Sequence, residues 1–314
     1  MPLEGLRERI FQQLNDRGCQ GRIVPVQHIQ DLQREIEEHH RQGLLAEEFY
    51  QERLTWFSFA PPDSLPEAKS LIVVAVPRPQ TLVVFTWNGK TLPVILPPTY
   101  VGYEETNRQI RELLGEILGP EGYQVLRAAL PLKLLAVRSG LGQYGRNNIC
   151  YVPGMGSFHQ LVAVYSDLPC PEDNWREAQM MESCQNCRAC LHHCPSGAIP
   201  SDRFLLRAER CIVFHNEKPG HVSFPSWIEP SWHNCLVGCL YCQKVCPENK
   251  SFLSWIEGRE EFSQEETALV LEGVACDQLP AATAKKLERL DLIDSLDALP
   301  RNLQVLMNQR TKQG

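Results

Sequence analysis

The sequence contains no apolar run approaching the roughly 18–20 residues that a membrane-spanning helix needs. It also lacks an excess of positive charge. With 31 Lys and Arg against 38 Asp and Glu, the formal net charge is −7, which argues against a dedicated nucleic-acid binder while leaving room for a local basic patch. No solenoid-type repeat and no low-complexity linker interrupts the chain. Its first residues, Met1–Pro2–Leu3–Glu4, run quickly into charge, with neither a signal-type apolar segment nor a twin-arginine pair. The expectation is a cytoplasmic protein with no membrane partner. Cysteine, by contrast, is abundant: 13 in 314 residues. Most of them fall between residues 184 and 246. A disulfide framework suits a small secreted chain, so clustered thiols in a chain of this size and compartment point to metal.

Hydrophobic periodicity predicts helices over about 4–15 (Leu6, Ile10, Phe11, Leu14) and 27–40 (Ile29, Leu32, Ile36), with an extended stretch at Arg22–Val26 between them. Leu71–Val76, bounded by Pro77, reads as a buried strand. Leu82–Thr86 and Thr91–Leu96 flank Asn88–Gly89, a strong hairpin signal. A helix follows over Glu104–Leu118, stopped by Gly119–Pro120. Tyr123–Ala128 reads as a strand, Pro131–Arg138 as a short helix and Leu161–Tyr165 as another strand. This alternation suggests an α/β domain. Residues 265–310 read as helical.

Cys184, Cys187, Cys190 and Cys194 form C-x2-C-x2-C-x3-C followed by Pro195, the bacterial ferredoxin run. Three closely spaced thiolates wrap one corner of a [4Fe–4S] cubane, and the fourth reaches the neighbouring cluster. Cys239, Cys242 and Cys246, followed by Pro247, repeat the pattern without its first cysteine. Cluster one is therefore expected on Cys184, Cys187, Cys190 and Cys246. Cluster two is expected on Cys194, Cys239, Cys242 and either Cys211 or Cys235. A pair of zinc ribbons also uses C-x2-C, but not a third x2-spaced cysteine with a Cys-Pro ending, twice. Cys19, Cys150, Cys170 and Cys276 are scattered and read as ordinary small apolar residues.

Other segments carry a resemblance. They are Gly140–Leu–Gly–Gln–Tyr–Gly–Arg–Asn147, Gly156–Ser157–Phe158 with the strand after it, Pro195–Ser–Gly–Ala–Ile199, the isolated Cys211, Gly238–Pro247, and Pro300–Arg301–Asn302. In this order, residues from about 68 to 308 resemble the epoxyqueuosine reductases, a family related to the reductive dehalogenases. The resemblance implies two [4Fe–4S] clusters feeding a cobalamin in an α/β domain. It favours Cys211 as the last cluster ligand. It assigns Gly140, Leu141, Gly142, Gly145, Arg146, Asn147, Gly156 and Ser157 to cobalamin. It implies an external electron donor of ferredoxin or flavodoxin type, with transfer RNA as the family's substrate. The glycine segment also matches G-x-G-x-x-G, with Asp167 some twenty residues on, but the order of elements around it does not suit a dinucleotide fold. A tight turn that joins two elements is the bland alternative.

The chain departs from the family where a proton donor is expected. Leu126–Arg127–Ala128–Ala129–Leu130–Pro131 contains no carboxylate. Tyr100 and Tyr103 are the candidate acids in its place, against a plain packing role. Arg127 and Lys133 are candidate anion contacts, and His39 and His40 read as a solvated helix face. The family's C-terminal helical-repeat extension for transfer RNA has no counterpart among these residues, so the substrate is left unidentified. The fold expected is α/β (α+β): an N-terminal helical segment at 1–65, a corrinoid-binding-type α/β domain at 66–170, an inserted two-cluster ferredoxin-like domain at 171–255, and C-terminal helices at 256–314 that pack on the α/β domain. Two rivals stand beside the cobalamin-dependent reductase: an electron carrier that reduces a partner such as a corrinoid protein, and an epoxyqueuosine reductase with its proton donor relocated.

Overall fold

The computed structural model describes residues 3–311. Met1 and Pro2 of the expected N-terminal segment and residues 312–314 of the expected C-terminal one lie outside the described residues. In chain order the elements are α1 (Leu3–Asn15), β1 (Gln20–Pro25), α2 (Ile29–Arg41), α3 (Glu47–Arg53), β2 (Ser70–Pro77), β3 (Gln80–Trp87), β4 (Lys90–Leu96), α4 (Tyr103–Leu118), β5 (Val125–Arg127) and α5 (Leu132–Arg138). There follow β6 (Gln143–Tyr144), β7 (Cys150–Tyr151), β8 (His159–Ser166), α6 (Ala189–His193), α7 (Ile212–Asn216), α8 (Tyr241–Lys244), β9 (Ile256–Phe262), α9 (Gln264–Glu272), α10 (Ala281–Arg289) and α11 (Leu299–Thr311). They form two compact units. One comprises Met1–Pro77, Glu104–Arg188 and Asp202–Leu206, the other Arg78–Tyr103, Ala189–Ser201 and Arg207–Gly314.

The first unit is built on a four-stranded sheet of order β1-β2-β8-β5. Every pairing in it is antiparallel. Strand alternation sends Val24, Leu71, Val73, Ala75 and Ala163 to one face, where Leu32 of α2 and Leu135 of α5 cover them. It sends Ile23, Ile72, Val74, Val162 and Val164 to the other, under Leu6 and Ile10 of α1 and Leu114 of α4. With both faces covered, β2 and β8 read as unbroken apolar runs, as strands of parallel sheets usually do. Their sequence therefore carries no sign of the antiparallel pairing.

The second unit holds a three-stranded sheet of order β4-β3-β9. β3 and β4 form the expected hairpin, with Asn88 and Gly89 both at positive φ (49° and 71°), as a tight primed turn requires. β9 pairs with β3 in parallel. Phe262 of β9 stacks on Phe85 of β3 with ring centroids 4.9 Å apart. Val270 of α9, Leu287 of α10, and Leu299 and Leu303 of α11 close this core. Ser263 and Glu266 make a capping box at the start of α9.

The expected domain boundaries are thus redrawn. The hairpin at 80–96 leaves the 66–170 domain and shares a core with the C-terminal helices, which complete the second unit instead of returning to the first sheet. The expected 171–255 module is likewise divided, its part up to Arg188 belonging to the first unit. The reason is burial. The inward face of β3 and β4 needs a cover, and only the distant β9 and α9–α11 supply it.

His159, at the start of β8, is 4% exposed and its Nδ1 has no hydrogen-bond partner. Burial pushes its pKa down to about 4, against a smaller opposite effect from a main-chain bond at Gly156. An unfolded histidine titrates near 6.5. The unfolded chain therefore takes up a proton that the folded chain refuses, so this contribution is complete above about pH 6.5 and is lost as pH falls towards 4. Melting temperatures at pH 7.5 and pH 5 should show a larger drop for the wild type than for His159→Met. Equal drops would contradict it.

Candidate metal centre

Within the second unit, α6 carries Cys190 and α8 carries Cys242, and these two short helices pack against each other. Cys194 follows α6, Cys211 immediately precedes α7, Cys239 precedes α8 and Cys246 follows it. Pro195 and Pro247 cannot continue the helical turns and send the chain away from each site. The thiols of Cys194, Cys211, Cys239 and Cys242 form one group of half-buried residues. Burial, then the neighbouring sulfurs of Cys239, Cys211, Cys194 and Cys190, push the Cys242 thiol far above its usual range. Burial first, then the charges of Cys239, Cys194 and Glu217, raise Cys211 to about 12 against an opposing main-chain bond at Val213. Such a set ionises only against a positive centre, and thiolates are the ligands iron–sulfur cubanes use. Among the described residues, no three His, Cys, Asp or Glu side chains converge as a single ion requires. Four thiols brought to one place suit the four-thiolate ligation of a [4Fe–4S] cluster. The other four expected ligands are divided between the units: Cys184 and Cys187 lie in the first, Cys190 and Cys246 in the second.

The structure also separates Cys211 from Cys235. Cys235 is 1% exposed, and its Sγ–H donates to Asn234 Oδ1 at 2.9 Å. Burial holds that thiol protonated, and Cys239 is the one cysteine that presses on it. Asn234 in turn donates from Nδ2 to Cys239 Sγ (3.2 Å) and accepts from the Leu240 N–H (3.0 Å). It thus orients a ligand sulfur and favours its thiolate form. Three more side chains brace the same loops. Asn216 pairs with the backbone of Gly238, donating to its oxygen at 2.7 Å and accepting from its nitrogen at 3.3 Å. Asn302 of α11 donates to the oxygens of Asn216 (2.7 Å) and Leu236 (2.9 Å). Arg301 donates to the main-chain oxygens of His215, Lys218 and Pro219 at 3.1–3.2 Å. These carbonyls lie at and just beyond the C-terminal end of α7.

Tyr100 lies under the same loop. Gly238, at φ 74°, can hold no side chain there, because a Cβ would sit 2.6 Å from the Tyr100 ring. The Tyr100 hydroxyl donates to the Glu217 carboxylate, and burial, then the Glu217 charge, raise its pKa well above the ordinary phenol value. A phenol so far from ionising supports the loop better than it delivers protons. Tyr103 begins α4, where its main-chain N–H donates to Asp291 Oδ2 at 2.8 Å.

The glycine segment forms the end of α5 and the β6–β7 ribbon of the first unit. Gly140, at φ 78°, ends α5, and a Cβ there would lie 3.3 Å from the Arg176 guanidinium. At Gly142 a Cβ would meet Cys150 Sγ and Tyr151 O at 2.7 Å, and at Gly145 it would meet the Tyr151 ring at 2.5 Å. Asn147 donates to the Tyr151 hydroxyl at 3.0 Å. Leu141 and Ser157 are buried, and Gly156, at φ 55°, accepts the Val152 N–H at 2.9 Å. The close approach these glycines permit is to their own β7. Asp167 accepts from the Gln124 N–H at 2.8 Å and so anchors the entry to β5.

A family model described as a 4Fe-4S double cluster binding domain matches residues 183–249. The chain resembles the epoxyqueuosine reductases. It is 33% identical to the Pseudomonas aeruginosa epoxyqueuosine reductase over 146 residues, 46% of this chain and 39% of that protein. It is 35% identical to the Escherichia coli K12 protein over 130 residues (41% and 32%). It is 27% identical to the Bacillus subtilis protein over 195 residues (59% and 49%). The chain thus matches less than half the length of these curated relatives. A crystal structure of a selenomethionine-labelled epoxyqueuosine reductase aligns with 97% of this chain and 82% of its own, at TM-score 0.68 and 21% identity. One solved with a modified tRNA stem loop aligns over 97% and 81%, at TM-score 0.67 and 20% identity. At that identity the likeness establishes the fold.

Asn216 and Asn234 have no place among the residues named from the sequence, and Asn302 enters there only within Pro300–Arg301–Asn302. A polar residue between ligand cysteines, such as Asn234, was the available clue. Loaded under anaerobic conditions, the wild type should hold about eight iron per chain. Cys211→Ala should hold about half of that, and Cys235→Ala should match the wild type. Iron analysis giving the reverse pattern would reassign the ligand.

Proposed function

We propose that this chain is an iron–sulfur reductase that passes low-potential electrons, one at a time, through two [4Fe–4S] clusters. The observation that carries this reading is the gathering of Cys194, Cys211, Cys239 and Cys242 around α6 and α8, inside the span at 183–249 that matches the double-cluster family model. Cys184, Cys187, Cys190 and Cys246 hold the second cluster in this reading. The electrons enter from an external ferredoxin- or flavodoxin-type donor. The resemblance adds cobalamin as the carrier the clusters reduce, and a bound corrin supplies a strongly reducing cobalt centre. The substrate is unidentified. The rival in which the chain reduces a partner's corrin gains support from the self-packed glycine turn.

The proposal also holds that this chain is a poor reductase of epoxyqueuosine in transfer RNA. Leu126–Pro131 offers no carboxylate, and the net charge of −7 gives no general attraction for a polyanion. A missing general acid costs about 100- to 10,000-fold in rate. One observation favours the opposite reading. Arg127 of β5 grips the Glu104 carboxylate with two bonds, 2.7 and 2.9 Å, which places an acid beside the stretch that lacks one. Both of its oxygens are engaged, which suits positioning better than proton transfer.

Two measurements separate these readings. Equilibrium dialysis with cob(II)alamin should show retention by the cluster-loaded protein, and no retention would favour the partner-reducing carrier. Expression in a bacterium without its own epoxyqueuosine reductase should leave queuosine absent from digested transfer RNA by mass spectrometry. Full restoration would assign the relatives' reaction to this chain.

A further inference from the structure

Arg146 stands at the tip of the β6–β7 ribbon and points away from it. The tip is fixed from within: Gly145 N donates to Ile149 O at 2.8 Å, Asn148 N donates to Gly145 O at 3.0 Å, and Asn148 itself takes the left-handed conformation at φ 57°. Asn148 Oδ1 accepts from Leu206 N at 2.5 Å, which ties the tip to residues 202–206 of the same unit. The chain segment before the first cluster cysteine adds to the ribbon's edge. Tyr144 N donates to Gln179 O at 2.8 Å, and Met181 N donates to Tyr144 O at 2.9 Å. From this support the Arg146 guanidinium reaches three main-chain oxygens of the cysteine loop: Cys184 O at 2.6 Å, Cys187 O at 3.0 Å and Gln185 O at 3.4 Å.

We propose that Arg146 is a positioning residue for the cluster ligated by Cys184 and Cys187, and that its fixed charge makes this cluster easier to reduce than it would otherwise be. The inference rests on the two-cluster reading above. Its physical basis is direct. The carbonyls of two ligand residues point at the guanidinium, so the loop's conformation is set by one rigid fork of donors. A permanent positive charge a few ångströms from the ligands stabilises the reduced cluster, which carries one more electron than the oxidised one. The residue also links the glycine turn to the cluster loop mechanically. The turn thereby has a task in this unit that needs no ligand of its own.

The test is a potentiometric titration of the anaerobic, cluster-loaded protein, followed by electron paramagnetic resonance, on wild type, Arg146→Met and Arg146→Lys. Arg146→Met should move one cluster to a more negative potential and leave the other in place. Arg146→Lys keeps the charge and should leave both near the wild-type values. If Arg146→Met fails to retain the cluster, Arg146→Lys decides: wild-type potentials support the proposal. Unmoved potentials in Arg146→Met, equal shifts of both clusters, or a shift in Arg146→Lys would overturn it. A wild type that binds no iron would instead overturn the two-cluster reading itself, and this inference with it.

Discussion

Buried thiols placed side by side oppose one another's ionisation, and this opposition organises the second unit. Cys194, Cys211, Cys239 and Cys242 gather where water is excluded, so each charge would raise the cost of the next. Iron reverses the sign of that interaction, because four thiolates around a positive cluster attract what they would otherwise repel. The loops around them are short and irregular and have little secondary structure to hold them. Their stability comes from side-chain amides and one guanidinium that satisfy the loop backbone: Asn216 on Gly238, Asn302 on Asn216 and Leu236, and Arg301 on the end of α7.

The same logic applies in the first unit with different parts. Beside α5 lies a separate two-stranded ribbon, β6–β7, packed so tightly that Gly142 and Gly145 have no room for a Cβ. That rigidity is transmitted outward by Arg146 to the Cys184–Cys187 loop. In each unit, then, an arginine gathers main-chain oxygens: Arg146 those of the Cys184–Cys187 loop, and Arg301 those at the end of α7 and in the turn after it.

Much of this was legible in the sequence because the signals are local. The cysteine spacing, the Asn88–Gly89 hairpin and the amphipathic helices each arise within a few residues. The strand at 71–76 and its partner at 161–165 were also plain, as continuous apolar runs. What was hidden depended on distance along the chain. The parallel pairing of β3 with β9 joins segments that no local pattern connects, so the hairpin was placed in the wrong unit. The strand direction was not legible for a related reason: double-sided burial of β2 erases the alternation that marks an antiparallel strand. The carbonyl partners of Arg146, some forty residues on, were likewise beyond any local pattern.

The account stands or falls on the nature of the metal. Protein loaded with isotopically enriched iron and examined by Mössbauer spectroscopy should show all of its iron in [4Fe–4S] clusters. On reduction, paramagnetic resonance should show two such centres close enough to couple. A single uncoupled cluster, or iron that fails to assemble while zinc binds in its place, would contradict it.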